Sequence, residues 1–344
     1  MVQKSLFGHL DEKEILLFQL RNKNGMTVEV MNYGATITSI KIPARNGLKE
    51  IVCGFDTLEK YLSPAYAEQN PYFGATVGRY GNRIKNGQFS IEGKMHQLTT
   101  NEGANHLHGG AVGFDKCVWN VESSKDHQLT FSLLSKDMNE GYPGELAMEV
   151  SFDLNDSNEL IISFDGTCSK SCPISLTNHS YFNLSGFEES ISNHTVMIDS
   201  DFILEKDQEG CPNGVRDEVE GATDFRKPKK LNDAFEKRPD GFDDYYLFRN
   251  QQLFEVTPVA TLYSEKNEIK LEVKTSEPGM QFYTANFLNG TLSRKRDLQP
   301  YCKLDAFCCE PQRYPNGPNI EASPGSITEM NTPFKSQTIY KLDW

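Results

Sequence analysis

The 344-residue chain holds no apolar run approaching the ~20 residues that a membrane-spanning helix needs. Its first twenty residues interleave charges with hydrophobic residues, where a secretion signal would carry an uninterrupted apolar core. Both absences argue against a membrane partner and make the cytoplasm the expected compartment. Positive charge is also scarce: 35 Lys and Arg stand against 48 Asp and Glu, a net charge of −13. Nucleic acid and anionic membrane surfaces need clustered cations, so neither is an expected partner, and a phosphorylated substrate is disfavoured. The chain lacks a GxSxG elbow, a Walker A loop, a strand-linked GxGxxG and an HExxH helix, which sets aside most nucleotide-driven and metal-assisted chemistry. The eight cysteines are irregularly spaced. Cys168 and Cys172 lie four apart, but no second Cys or His pair completes a zinc set, so reduced thiols and no metal are expected. A neutral small molecule or another protein is the partner that remains.

Alternation with a period of two dominates what is present. Leu146, Met148, Val150, Phe152 and Leu154 share one face of a single extended run, and Ile269–Lys274 and Leu129–Leu133 repeat the pattern. Such runs predict half-buried antiparallel strands rather than the continuous apolar strands of a parallel sheet. Turn signals stand between them at Asn46-Gly47, Asn86-Gly87, Pro143-Gly144 and Pro278-Gly279. Helices are expected only at Asp56–Leu62, opened by an Asp N-cap, and at Leu231–Phe235. No compositional shift or flexible linker divides the chain, so an all-β fold in one unit over residues 1–344 is expected. A large antiparallel sandwich accounts for this best, and a concave face of one sheet can form a ligand cleft.

Several segments are polar, aromatic and glycine-rich at once: Pro71–Ile84, Asn105–Gly110, Ser175–Leu184, Gly241–Asp244, Pro278–Asn286 and Phe307–Asn319. They hold two histidines in special contexts, a glutamate before a Pro-rich loop, an Asn-Arg pair, and an Asp and a Gln beside aromatic residues. Amides, guanidinium groups and carboxylates next to ring faces suit recognition of a neutral polyol. Histidine can give and take a proton near neutral pH, and a glutamate can accept one when burial lifts its pKa.

Ser175–Leu184 resembles the signature of the aldose 1-epimerase family at every constrained position, with Thr177, Asn178, His179, Tyr181, Phe182 and Asn183 in place. The Gly78–Ile84 segment, Leu107–Gly110, Gly113–Lys116, Glu140–Gly144 and Phe307–Gln312 are similar to further family blocks in family order, so the likeness spans roughly residues 30 to 330. It implies a β-supersandwich of two large antiparallel sheets with a solvent-open sugar cleft. It also implies interconversion of the α and β anomers of free hexoses such as galactose and glucose, without a cofactor. His179 matches the family's general acid and Glu310 its general base. Asn82, Arg83, His108, Asp243 and Gln281 match positions that hold hydroxyls and orient the ring. A monomer or weak homodimer is expected.

The residues leave some matters open. Arg79 and Arg83 compete as the sugar-facing arginine, with family spacing favouring Arg83. Asp244 stands where many relatives carry His, which puts the hydrogen bonding around Asp243 in question. His106 is read as a surface residue, and Tyr181, Phe182, Phe282 and Tyr283 as core rather than sugar platforms. A glycoside hydrolase or lyase, a non-catalytic sugar-binding paralogue and a hexose-phosphate mutarotase are the competing functions. The first would want two carboxylates flanking the bond, and the last an added basic cluster.

Overall fold

A computed structural model describes residues 2–44, 47–249, 253–293 and 299–344. Every pairing between its strands is antiparallel among the described residues. Three sheets make up most of the fold. Nine strands run in the order Asn120–Lys125, Gln128–Ser135, Leu146–Leu154, Glu159–Cys168, Pro333–Asp343, Ile269–Thr275, Thr257–Ser264, Thr195–Ile198 and Lys229–Lys230. Six form a second sheet in the order Tyr181–Phe182, Phe307–Gln312, Gly279–Tyr283, Asp243–Phe248, Ser200–Lys206 and Pro212–Glu218. The N-terminal strands from Gln3 to Glu50 form a five-stranded meander that joins the second sheet through a bridge from Val52 to Phe182.

The expected alternation is realised in burial. Leu146–Leu154 buries every second side chain, as does Ile269–Thr275. The buried set of the nine-stranded sheet includes Phe131, Val150, Phe164, Leu271 and Tyr340. It packs in one cluster with Phe182, Tyr246, Met280, Phe282, Phe307 and Cys309 of the six-stranded sheet. The Tyr340 ring lies 5.1 Å from that of Phe182, and its hydroxyl donates to the carbonyl of Cys309 at 2.8 Å. Full burial of each such large apolar side chain contributes ~1.5–3 kcal/mol. Because side chains alternate along a strand, the same packing turns Asp243, Gln281, Tyr283 and Glu310 to the opposite face of the six-stranded sheet. That face builds the cleft.

Leu231–Phe235 is helical as expected. The Asp56–Leu62 expectation shortens to Leu58–Tyr61 with Thr57 at its N-cap; Asp56 instead pairs with Lys60 at 2.9 Å. A further helix, Pro64–Gln69, follows directly, with Pro at its first turn and the Ser63 hydroxyl accepting from the amide of Tyr66. Of the expected turns, Asn86 and Gly144 adopt positive φ, and Pro278 ends a bend that leads into the Gly279 strand. Asn46 lies outside the described residues.

Candidate active site

Register along the six-stranded sheet places the polar groups. Gln281 lies directly opposite Glu310 on one neighbouring strand and opposite Tyr245 on the other, while Asp243 pairs with Tyr283. The Gln281 amide donates to Asp243 Oδ1 at 2.6 Å. A slip of one residue would turn this row into the sandwich core, so the hydrophobic alternation that builds the core also aims the carboxylates.

His179 arrives from a different route. Thr177–Asn178 pairs with Thr76–Val77, and the His179 amide and carbonyl then bond to Ala75 O and Gly74 N, both at 2.9 Å. Its Nε2 comes within 3.6 Å of Glu310 Oε2. His108 is delivered by a short ribbon in which Leu107 pairs with Arg83. The His108 amide donates to Asn82 O, and the Asn82 amide donates to His108 Nδ1, both at 3.1 Å. With Nδ1 accepting, the proton of the neutral ring sits on Nε2, which makes His108 a donor at that atom. Gly109 follows with φ +91°, and a Cβ there would lie 1.8 Å from the carbonyl of Gly78, so only glycine fits behind this histidine.

All seven residues expected from the sequence, Asn82, Arg83, His108, His179, Asp243, Gln281 and Glu310, line one cleft. Arg83 forms a two-point ion pair with Glu102 on the cleft wall. Arg79 lies buried elsewhere. Its guanidinium bonds to carbonyls of Ser135, Lys136, Pro143 and Gly144 and to the Ser135 hydroxyl, pinning loops together away from the cleft. Asp244 alternates to the core side, where it meets Arg238 at 2.7 Å and Lys206 at 3.5 Å, and Lys206 also donates to the main-chain carbonyl of Asp243.

One reading is corrected. His106 is not a surface residue: it is fully buried, bonded at Nδ1 to Thr99 O and at Nε2 to the Tyr142 hydroxyl. In the short ribbon it lies opposite the buried Ile84, a pairing that the Asn-His-Leu-His run does not declare. All four aromatics read as core are buried in hydrophobic clusters, Tyr181 and Tyr283 reaching the cleft wall as well. Sequence reasoning also missed Tyr72, Glu102 and the exposed Phe287 on the cleft wall. Tyr72 sat inside a segment singled out for its composition; Glu102 carried no signal linking it to Arg83.

Burial sets the electrostatics. It pushes the Glu310 carboxyl well above the ordinary carboxylate range, with the negative charge of Asp243 adding to the shift. Burial also lowers His179 to about 3 and holds His108 well below its usual value, the latter reinforced by His179 and Arg83. Glu310 Oε2 and His179 Nδ1 are buried without hydrogen-bond partners among the described residues. Unsatisfied polar atoms of this kind are costly.

His108, His179 and Glu310 bring donor atoms within 4.8 Å of one another, the count a metal site requires. The chemistry of the set fits a cation poorly. His108 has given its Nδ1 lone pair to the Asn82 amide, and its other nitrogen carries the proton.

Comparison with known proteins gives the family. The family model described as Aldose 1-epimerase matches residues 16–341. The chain is 37% identical to the galactose mutarotase of Bos taurus over 347 residues, covering 99% of this chain and 98% of the relative. It is 35% identical to the aldose 1-epimerase of Escherichia coli K12, covering 90% and 89%. Among solved structures, the galactose 1-epimerase of Lactobacillus acidophilus matches with a TM-score of 0.85 at 27% identity, covering all of this chain and 98% of that one. A GalM/aldose epimerase homologue from C. elegans matches equally well, with a TM-score of 0.85 at 27% identity over 95% and 98% of the two chains. The chain belongs to the aldose 1-epimerase family and is an isomerase acting on carbohydrates.

Proposed function

We propose that this chain is a mutarotase for free hexoses of the galactose and glucose type, with Glu310 as base and His179 as acid. One observation carries the reading: the two buried groups meet at 3.6 Å, each with an unpaired polar atom, in a cleft lined by hydrogen-bonding side chains. The hydroxyl oxygen and the ring oxygen of a hexose are both bonded to C1, so one imidazole and one carboxylate at this separation can reach both.

In the proposed step Glu310 takes the proton from the C1 hydroxyl while His179 gives one to the ring oxygen. The C1–O5 bond breaks and an aldehyde forms. Rotation about C1–C2 presents the other face, and reclosure returns both protons with the roles exchanged. No net proton is consumed. Burial disfavours the charged form of each group, so the empty pair holds its single proton on Glu310. A sugar hydroxyl donating to the unpaired Oε2 offsets that penalty, stabilises the carboxylate and moves the proton to His179. Substrate binding thus sets up the acid and the base. His108, as an Nε2 donor, and Asn82, Arg83, Asp243 and Gln281 hold the remaining hydroxyls.

Charge on the cleft wall favours an unphosphorylated sugar over a hexose phosphate. Arg83 is already paired with Glu102, and Asp243 adds negative charge. Exchange spectroscopy by NMR on equilibrated D-galactose, D-glucose and glucose 6-phosphate tests this. Cross-peaks between α and β anomeric protons should grow with added protein for the free sugars. Faster exchange for the phosphate than for either free sugar would overturn the substrate assignment.

A further inference from the structure

Histidines that handle protons are usually oriented by a hydrogen-bond acceptor at the second ring nitrogen. No other residue supplies one to His179: its Nδ1 is buried with only its own main chain in reach among the described residues. Two tyrosine rings lie nearly parallel to the imidazole instead. Tyr181 stands 5.0 Å away at an interplanar angle of 14°, and Tyr72 stands 5.9 Å away at 16°. Tyr72 also packs its ring 4.6 Å from that of His108.

The backbone holds Tyr72 in this place against local preference. It adopts φ +57°, a left-handed conformation uncommon for a bulky side chain. The turn that it opens is fixed at three points: Ala75 N donates to Tyr72 O at 3.0 Å, Gly74 N donates to His179 O, and His179 N donates to Ala75 O. The segment that carries the Tyr72 ring is therefore bonded directly to the main chain of residue 179. Lys116 Nζ sits 5.7 Å from the centroid of the Tyr72 ring and adds a cation–π contact.

We propose that Tyr72 and Tyr181 are positioning residues that clamp the His179 ring, replacing the missing hydrogen bond at Nδ1. This rests on His179 being the acid of the proposed reaction. The stacked rings fix the imidazole plane, and so the direction of Nε2, and they keep water from its faces. A clamp acts on the chemical step and not on sugar affinity, because a misdirected acid lowers the rate at an unchanged grip on the hydroxyls.

Steady-state anomerisation of D-galactose by Tyr72→Leu, Tyr72→Phe, Tyr181→Leu and His179→Asn tests it. The two Leu variants keep apolar bulk without a ring and should each lose roughly tenfold or more in kcat with KM within about threefold. Tyr72→Phe should restore most of the rate lost in Tyr72→Leu. Adding Tyr72→Leu to His179→Asn should cost nothing further, since no acid remains to position. Tyr181 lies in an ordinary strand, so its variant reads the clamp even if Tyr72→Leu folds poorly. A rise in KM at constant kcat would show the rings stacking on sugar and overturn the proposal. Unchanged kcat in both Leu variants while His179→Asn is impaired would overturn the clamp alone; full activity in His179→Asn would overturn the acid assignment and the clamp with it.

Discussion

The guanidinium of Arg83 and the carboxylate of Glu102 meet at two points, Nε to Oε2 and Nη2 to Oε1, both at 2.6 Å. A paired fork of this kind holds a long side chain against the cleft wall and limits the freedom it would otherwise lose on binding. Glu102→Gln should therefore raise KM for galactose by several-fold, and Arg83→Ala by about tenfold with a smaller loss in kcat. Unchanged KM in Arg83→Ala would remove it from the binding set.

Arg79, four residues earlier, should behave in the opposite way. Its buried guanidinium satisfies four carbonyls and a hydroxyl. Arg79→Met strands them and should cost at least ~2 kcal/mol of stability, read as a lower urea midpoint with an unchanged slope. KM of the folded fraction should stay at the wild-type value.

The pair's single proton shapes the pH profile of kcat/KM. A second proton joins the pair only near the lowered value of His179, about 3. The last proton leaves only above the raised value of Glu310. The profile should be flat above about pH 5 and fall only as pH rises through the raised value of Glu310. An acid limb centred near 6.5, the ordinary imidazole value, would contradict a buried His179.

Stability should carry the mark of the same carboxyl. Its folded pKa lies above the unfolded value, so the native state binds the proton more tightly. That contribution is complete below the unfolded pKa and is lost as pH rises through the folded one. Glu310→Gln has no such proton to lose. Its melting temperature should gain on the wild type between pH 5 and pH 8, and a constant or shrinking difference would argue against burial as the cause of the shift.

Much of this was legible in the residues. Alternation in Leu146–Leu154 and Ile269–Thr275 announced half-buried strands, because a period of two is a local property of the chain. The seven site residues were read through the family blocks, and the cleft they line gathers all of them. What escaped depends on long-range placement. Nothing in Asn105–Gly110 tells that His106 turns inward to Tyr142 while His108 turns to the cleft. The pairing of Arg83 with Glu102, and the positive φ that swings Tyr72 over His179, follow from ribbons and turns docked by distant strands. The helix Pro64–Gln69 was not expected, because it is too short for an apolar period to show.

Optical rotation of freshly dissolved α-D-galactose tests the account most directly. Purified protein should speed the approach to equilibrium rotation well beyond buffer alone, and Glu310→Gln and His179→Asn should each reduce that acceleration by ~10²-fold or more. No acceleration by the wild-type chain, or near-normal acceleration by either variant, would contradict it.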